Sequence, residues 1–190
     1  MFWVFSILFI FICSCTKNKN AQELVSHSDL EDYYEFQGFN LSKNGIPATI
    51  MLPDETANIG ASTTPEVAHL ESDFYWNIYV GQNFHLHIED FGDNTNLVQD
   101  HKQKIENTPF YEVNYLLDEK DLIVYEIKLK VRGHAKASKS VGVEHISYHV
   151  YGEKVIDGIH YELRSRDEGF SQQIIELMAK SIRSFKDISK

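Results

Sequence analysis

The sequence predicts an α+β fold, an antiparallel sheet of hairpin-connected strands flanked by helices. Three observations indicate this fold class. Apolar and polar residues alternate in short runs, most clearly over residues 84–89, which is the pattern of a half-buried strand. The dipeptides NG at 44–45 and DG at 157–158 are preferred hairpin turns. Apolar residues recur at helical spacing over residues 97–105 and 174–185, so we expect two helices that cover the sheet.

Two hairpins are predicted in the first half of the domain. Aromatic residues favour a strand over residues 33–41, and a return strand over residues 46–52 ends at Pro53, which cannot donate to a ladder. Residues 54–72 hold small residues with little periodicity and are predicted to be one long loop. Residues 73–92 then form the second hairpin.

The two predicted helices each have a candidate cap and an apolar stripe. The first begins after Gly92 with Asn94 or Thr95 as its N-cap, and the second is capped by Ser171. The stripe of each helix is expected to face the sheet. These residues are Leu97, Val98, His101 and Ile105 in the first helix, and Ile174, Leu177, Met178, Ser181, Ile182 and Phe185 in the second.

Two further hairpins are predicted between the helices. The first joins strands at residues 110–117 and 121–131, and the second, residues 143–165, turns at the DG dipeptide. Gly152 is predicted to mark a bulge in the last hairpin. His145 and His149 are expected to face solvent, because apolar residues take the alternate positions of the first strand, and His160 of the second strand is expected to face solvent as well.

Residues 1–14 are predicted to be a lipoprotein signal peptide. The apolar run over residues 2–12 is about half of the roughly 20 residues that a membrane-spanning helix needs, and a polar segment follows it. The sequence ICSC at 12–15 resembles the lipobox of bacterial lipoproteins, which implies that Cys15 is acylated and becomes the first mature residue. No Lys or Arg precedes the apolar run, and a buried N-terminal helix with two incidental cysteines is the alternative.

The rest of the chain is predicted to be a polar tether, residues 15–31, and a single α+β domain, residues 32–190. A domain of about 150 residues can bury nearly 70% of its unfolded surface, so it has no need of disulfide bonds. Cys13 would leave with the signal peptide and Cys15 would carry lipid. The expected location is therefore a bacterial cell envelope, on a membrane, with its periplasmic or outer side left open.

The acidic composition limits the classes of partner. The formal net charge is −10 and the isoelectric point lies near 5.3, whereas nucleic-acid-binding proteins usually carry a basic patch. Nucleic acids are therefore not expected partners, and attachment to an anionic membrane surface cannot depend on charge. The expected partners are the membrane, through the lipid anchor, and an envelope protein.

Two segments of the domain indicate a family. They are "NGIPATIMLP" near its start and "YHVYGEKVIDGIHYELRSRDEGFSQQIIELMAKSIRSF" at its end. An early hairpin that ends at a proline, a late DG hairpin and a terminal helix after a serine resemble the PsbP-like fold group, which includes the photosystem protein PsbP and bacterial DcrB-like lipoproteins. The resemblance implies a PsbP-like sandwich that acts as a binding or assembly module, and it supplies no active-site residues.

One predicted strand carries possible metal ligands at alternate positions. His85, His87 and Glu89 project from one face of the strand, and imidazole with carboxylate suits zinc or another transition metal. A half-exposed strand with a polar outer face has the same spacing and needs no metal. Two weaker candidates are an oxygen-rich turn at residues 89–96, for calcium, and a basic stretch at residues 128–139, for an acidic partner.

The sequence predicts a lipid-anchored envelope protein with a binding or accessory role rather than an enzyme. It contains no nucleophile elbow, phosphate-binding glycine loop or zinc-protease signature, so no catalytic residue and no cofactor is predicted. The alternative is a metal-binding or metal-dependent hydrolytic protein that uses His85, His87 and Glu89. A structural envelope protein without a dedicated ligand is a third hypothesis.

Overall fold

The computed structural model of this protein describes residues 32–60, 64–70, 72–130 and 146–188. The predicted signal peptide and tether, including Cys15, lie outside the described residues, as does most of the predicted basic stretch. In the described ranges, neither helix combines the length and the apolar character that crossing a membrane requires.

Within these ranges the chain forms ten strands and two α-helices. In chain order they are β1 (Phe36–Asn40), β2 (Ala48–Pro53), β3 (Glu66–Ala68), β4 (Tyr75–Val80), β5 (Phe84–Asp90), α1 (Leu97–Glu106), β6 (Tyr111–Asp118), β7 (Leu122–Leu129), β8 (Ile146–Ile156), β9 (Ile159–Arg164), α2 (Gln172–Ser184) and β10 (Lys186–Asp187). The strand pairings between them are antiparallel. The predicted α+β class with antiparallel strands is therefore confirmed.

The strands form two sheets rather than one. The larger has the order β3-β4-β5-β9-β8-β7-β6, and the smaller has the order β1-β2-β10. The predicted hairpins β4–β5, β6–β7 and β8–β9 are present. The pairing of β5 with β9, two strands far apart in the chain, joins the halves of the larger sheet.

Of the two dipeptides predicted to form hairpin turns, only one does so. Asp157 and Gly158 both have positive φ, 50° and 83°, as the predicted two-residue turn requires. The NG dipeptide does not form such a turn, because Ser42–Asn44 is a short 3₁₀ helix that ends at Gly45, whose φ is 89°. The connection between β1 and β2 is therefore longer than predicted.

The segment at residues 54–72, predicted to be one long loop, contains regular structure. The Asp54 side chain accepts a hydrogen bond of 2.8 Å from Thr56 N and caps a 3₁₀ helix, Glu55–Ala57. Further on, β3 pairs with β4 at the edge of the larger sheet. A three-residue strand is too short to show a recognisable alternation in the sequence. Its stability comes mainly from its pairing with the neighbouring strand.

Both predicted helices form, and their stripes face the sheet. α2 buries Ile174, Leu177, Met178, Ser181 and Ile182, and Phe185 follows, also buried, in agreement with the prediction. Ser171 precedes α2 as predicted but its side chain does not bond to the helix end. α1 starts later than predicted, at Leu97 after Asn96, which has a φ of 65°.

The predicted bulge at Gly152 is wrong. Gly152 lies in regular register between Leu122 and Leu163. A Cβ atom at this position would lie 2.6 Å from Ile182 Cγ2 and 3.3 Å from Leu122 Cδ1. Glycine is needed here because α2 packs directly on the backbone of β8.

Substitution Gly152→Ala is expected to lower the free energy of unfolding by about 1–3 kcal/mol, because the added methyl group overpacks the contact with α2. Urea unfolding followed by circular dichroism measures this. Gly38→Ala is the matched control, because its Cβ would meet no atom closer than 3.9 Å. Equal midpoints for the two variants would contradict the assignment of the close contact.

Candidate functional site

The larger sheet has one face that is covered across its width and one that is half covered. α2 and the smaller sheet share a single core with the first face. On the second face, α1 packs against β6 and β8. We call this part of the second face the covered half. Its buried residues are Leu97, Val98, Ile123, Tyr125 and Tyr151.

The remaining part of the second face, on β4, β5 and β9, is here called the open half. Alternation along each strand gives it polar and aromatic side chains, while Ile78, Leu86 and Leu163 point into the core. The side chains of the open half are Tyr75, Asn77, Tyr79, His85, His87, Glu89, His160, Glu162 and Arg164.

Strand register brings these side chains next to one another. Asn77 lies opposite His87 on one side, and Arg164 lies opposite it on the other. Glu89 lies opposite Glu162. Like charges directly opposite each other destabilise a sheet. The two carboxylates therefore require positive charge close by.

Asn77 connects the two histidines of β5. Its Oδ1 lies 3.1 Å from His85 Nε2 and 3.0 Å from His87 Nδ1. Because a carbonyl oxygen only accepts hydrogen bonds, both of these nitrogens carry a proton in this arrangement, and His85 Nδ1 and His87 Nε2 keep lone pairs. Turning the Asn77 amide over would exchange these roles.

Three possible metal ligands meet in the open half: His87, Glu89 and Glu162. Their ligand atoms lie within 4.8 Å of one another, in the only such group of three or more that the described residues contain. His87 Nε2 and Glu89 Oε2 are 3.4 Å apart. Metal–ligand bonds of about 2.1 Å arranged as a tetrahedron give ligand separations of about 3.4 Å. His85, predicted as a ligand, does not belong to this group.

Glu162 is almost fully buried, and two donors compensate its charge. Tyr151 Oη donates to Oε2 at 2.5 Å, and Arg164 Nε donates to Oε1 at 2.7 Å. Arg164 Nη1 also donates to Asp167 Oδ1 at 3.0 Å. Each carboxylate oxygen keeps a second lone pair, so Glu162 can still bind a metal. Arg164 would compete with that metal.

Burial keeps both histidines of β5 neutral. It lowers the pKa of His85 to about 4, with a further contribution from the Arg166 guanidinium. It also lowers the pKa of His87, with a further contribution from Arg164. At neutral pH the imidazole lone pairs are therefore available to a metal ion or a hydrogen-bond donor.

A pocket of about 210 Å³ opens at one end of the open half. Tyr79 and Tyr75 flank it on β4. The ring of Tyr79 stacks on His85 with 4.3 Å between centroids, and that of Tyr75 stacks on His87 with 5.7 Å. The residues that line the pocket are Asn77, His85, His87, Arg164, Arg166, Asp167 and Glu168.

The covered half contains a stacked aromatic network. His101 of α1 stacks on Tyr151 with centroids 3.9 Å apart, and its Nε2 lies 2.8 Å from Tyr125 Oη. Tyr125 in turn stacks on His149, whose Nε2 lies 2.8 Å from Ser147 Oγ. His101, predicted as part of the stripe of α1, therefore orients the helix through both stacking and a hydrogen bond.

The prediction that His149 faces solvent is wrong. Its residual exposure is 5%, because Tyr125 covers one side of the ring and the Gly169 backbone lies against it. His160 is partly buried, with its Nδ1 2.6 Å from Glu153 Oε1. His145 lies outside the described residues.

The weaker candidate sites do not gather ligands in the described residues. In the oxygen-rich turn, Asp90 Oδ1 accepts from Gly92 N at 2.7 Å, and Asn94 Nδ2 donates to Phe91 O at 2.9 Å, so these groups stabilise the turn itself. At the start of the basic stretch, the Lys128 ammonium lies 2.9 Å from Glu126.

A wider groove of about 910 Å³ lies between the start of α1 and two hairpin ends. Its charges form pairs: Lys102 lies 2.7 Å from Asp118, and Lys154 lies 2.7 Å from Asp121. Because these four groups compensate each other, they are not available to an ionic ligand.

Sequence reasoning missed Asn77, Glu162 and Arg164. The alternation of β9, in which His160, Glu162 and Arg164 share one face, is visible in the sequence and could have drawn attention to that strand. The position of β9 beside β5 could not be predicted from the sequence, because it depends on the order of the strands in the sheet.

Comparisons of this chain with protein-family models, with curated proteins and with solved structures find no match.

The free energy of unfolding is expected to fall as the pH is lowered from about 6.5 to about 4. Burial lowers the pKa of both His101 and His149 to about 4, so in this interval the unfolded chain binds protons that the folded chain does not. The loss for the fully buried His149 is up to about 1.4 kcal/mol per pH unit.

Urea unfolding at several pH values measures this dependence. His149→Gln removes the titrating group but keeps a polar side chain, and we expect a shallower decline with this variant and with His101→Gln. An unchanged slope in both variants would show that these two histidines do not cause the pH dependence.

Proposed function

We propose that the chain is a lipid-anchored binding or accessory protein of a bacterial cell envelope, without a reaction of its own. Acyl chains on Cys15 would hold the domain at the membrane, and the tether over residues 15–31 would give it reach. The open half, a polar and aromatic surface on a rigid sheet, would bind the ligand. This half-covered sheet face is the observation that carries the binding role.

The lipobox-like sequence at residues 12–15 supports the anchor, and the net charge of −10 agrees with attachment by acyl chains rather than by charge. The PsbP-like sandwich remains part of this proposal. Antiparallel sheets and two helices are compatible with it, and binding or assembly is the role that the resemblance implies.

One pair of residues could suggest catalysis, and its surroundings argue against it. Ser147 Oγ lies 2.8 Å from His149 Nε2, the distance expected of a nucleophile and its base. A pocket of about 360 Å³ reaches both side chains, and the Gly169 backbone lies against the imidazole. No carboxylate among the described residues bonds to this imidazole, so the pair lacks the third group that orients the base in a catalytic triad. The pair is better explained as a partly buried structural hydrogen bond.

A second candidate function is metal binding. The observation that favours it is the group of His87, Glu89 and Glu162, with ligand atoms within 4.8 Å of one another. Asn77 would hold His87 with Nε2 toward the metal, a supporting contact common at metal sites. Three protein ligands leave a fourth position for water, which is the arrangement that metal-dependent hydrolysis uses.

Substitution Cys15→Ser is expected to move the protein from the membrane fraction to the soluble fraction of its native host, because the acylated thiol is lost. Membrane fractionation measures the shift, and mass spectrometry of the wild-type protein should find an acylated Cys15 at the N-terminus. An unprocessed chain with an unmodified Cys15 would contradict the anchor.

For the metal candidate, calorimetric titration with Zn²⁺ should give one equivalent bound. Glu162→Gln and His87→Ala should weaken this binding by at least about 10–100-fold, because even the loss of a residue that only hydrogen-bonds to a metal ligand has an effect of this size. Glu153→Gln is the matched control, because Glu153 lies opposite Glu162 but pairs with His160. His85→Ala should retain binding. Loss of binding in His85→Ala, with retention in Glu162→Gln, would favour the ligand set predicted from the sequence.

A further inference from the structure

The open half satisfies most of its own charges, and this limits what it can bind. Arg164 donates to both Glu162 and Asp167, while Glu89, partly exposed to water beside the neutral His87, keeps its negative charge. In the pocket, two guanidinium groups and two carboxylates face two neutral imidazoles and an amide. A lining with balanced charge favours neither an anion nor a cation, and it favours a neutral polar ligand.

The groups left over can both donate and accept hydrogen bonds. His85 Nδ1 is buried and has no hydrogen-bond partner within the part of the chain that the structure describes. Asn77 turns its Oδ1 to the two histidines, which leaves its amide N–H groups for another acceptor. Because an unsatisfied buried polar atom costs about 1–3 kcal/mol, a ligand that turned the His85 ring and bonded to this nitrogen would gain affinity.

Two tyrosines extend this surface along β4. Tyr75 and Tyr79 keep 41% and 37% of their surface exposed, and stacking on His87 and His85 holds both rings in place. Four residues of strand separate them by about 13 Å. Rigid tyrosines give contact area at a small loss of side-chain entropy. The ligand therefore meets aromatic faces as well as hydrogen-bonding groups.

We infer that the open half binds a neutral saccharide. A sugar ring has hydroxyl groups around its edge, which donate and accept, and C–H groups on its faces, which pack on aromatic rings. The pocket, at about 210 Å³, is smaller than the about 300–1,000 Å³ of sites for drug-sized ligands, so it holds one small unit. Tyr75 and Tyr79 contact the neighbouring units of an oligosaccharide.

This inference rests on the proposed binding role and names its ligand class. The test is calorimetric titration of the full chain, in a detergent without a sugar headgroup, with three neutral hexasaccharides: chitohexaose, cellohexaose and maltohexaose. A chelator in the buffer removes the metal candidate from the measurement. We expect saturation by at least one of the three at millimolar concentration, and weaker binding of an acidic hexasaccharide.

Tyr79→Ala should weaken this binding at least tenfold, whereas Tyr79→Phe, which keeps the ring, should retain it. Tyr111→Ala is the matched control, because Tyr111 is 40% exposed and lies on β6 at the opposite edge of the sheet. Urea midpoints of all variants verify that they fold.

Three results would overturn the inference: no binding of any neutral hexasaccharide, equal effects of Tyr79→Ala and Tyr111→Ala, or preference for the acidic hexasaccharide. None of them affects the lipid anchor, which the fractionation of Cys15→Ser tests separately. Likewise, if the fractionation shows that the protein is not lipid-anchored, the titration remains valid.

Discussion

The width of a single helix determines how this molecule divides its surface. Strands lie about 4.8 Å apart, so seven of them make a sheet about 29 Å wide, whereas a helix with its side chains is about 10–12 Å across. α1 is the one helix packed on the second face among the described elements, and it can cover only two or three strands. β4, β5 and β9 must therefore present side chains that tolerate water on that face.

A chain of hydrogen bonds connects the covered half with the open half. The ring of Tyr151 lies under His101 of α1, while its hydroxyl group donates to Glu162. Glu162 accepts from Arg164, which reaches Asp167 on the surface. A buried carboxylate is tolerated only with such donors. Glu162 thus depends on a tyrosine whose position α1 determines, and the geometry of the open half depends on the packing of the covered half.

Local patterns predicted the elements of this fold better than their arrangement. The alternation of β5, the stripes of both helices and the DG turn concern residues close in sequence, and all four are present. The burial of His149 and the close approach of α2 to Gly152 depend on which elements pack together, so local patterns predicted neither of them. For the same reason the sequence predicted His87 and Glu89, which are close in the chain, as possible ligands. It could not predict Glu162, whose position beside them depends on the register between β5 and β9.

The two ligand classes considered for the open half make opposite demands on Arg164. A metal ion held by Glu162 would add positive charge beside the guanidinium that now donates to the same carboxylate at 2.7 Å. Their repulsion would reduce the affinity unless Arg164 moved toward Asp167, to which it is already bonded. A neutral saccharide leaves the pair of Glu162 and Arg164 intact and bonds to atoms that the pair does not use, such as the Asn77 amide nitrogen. Because it needs no rearrangement of a buried ion pair, the saccharide is the ligand class that the open half is better prepared to bind.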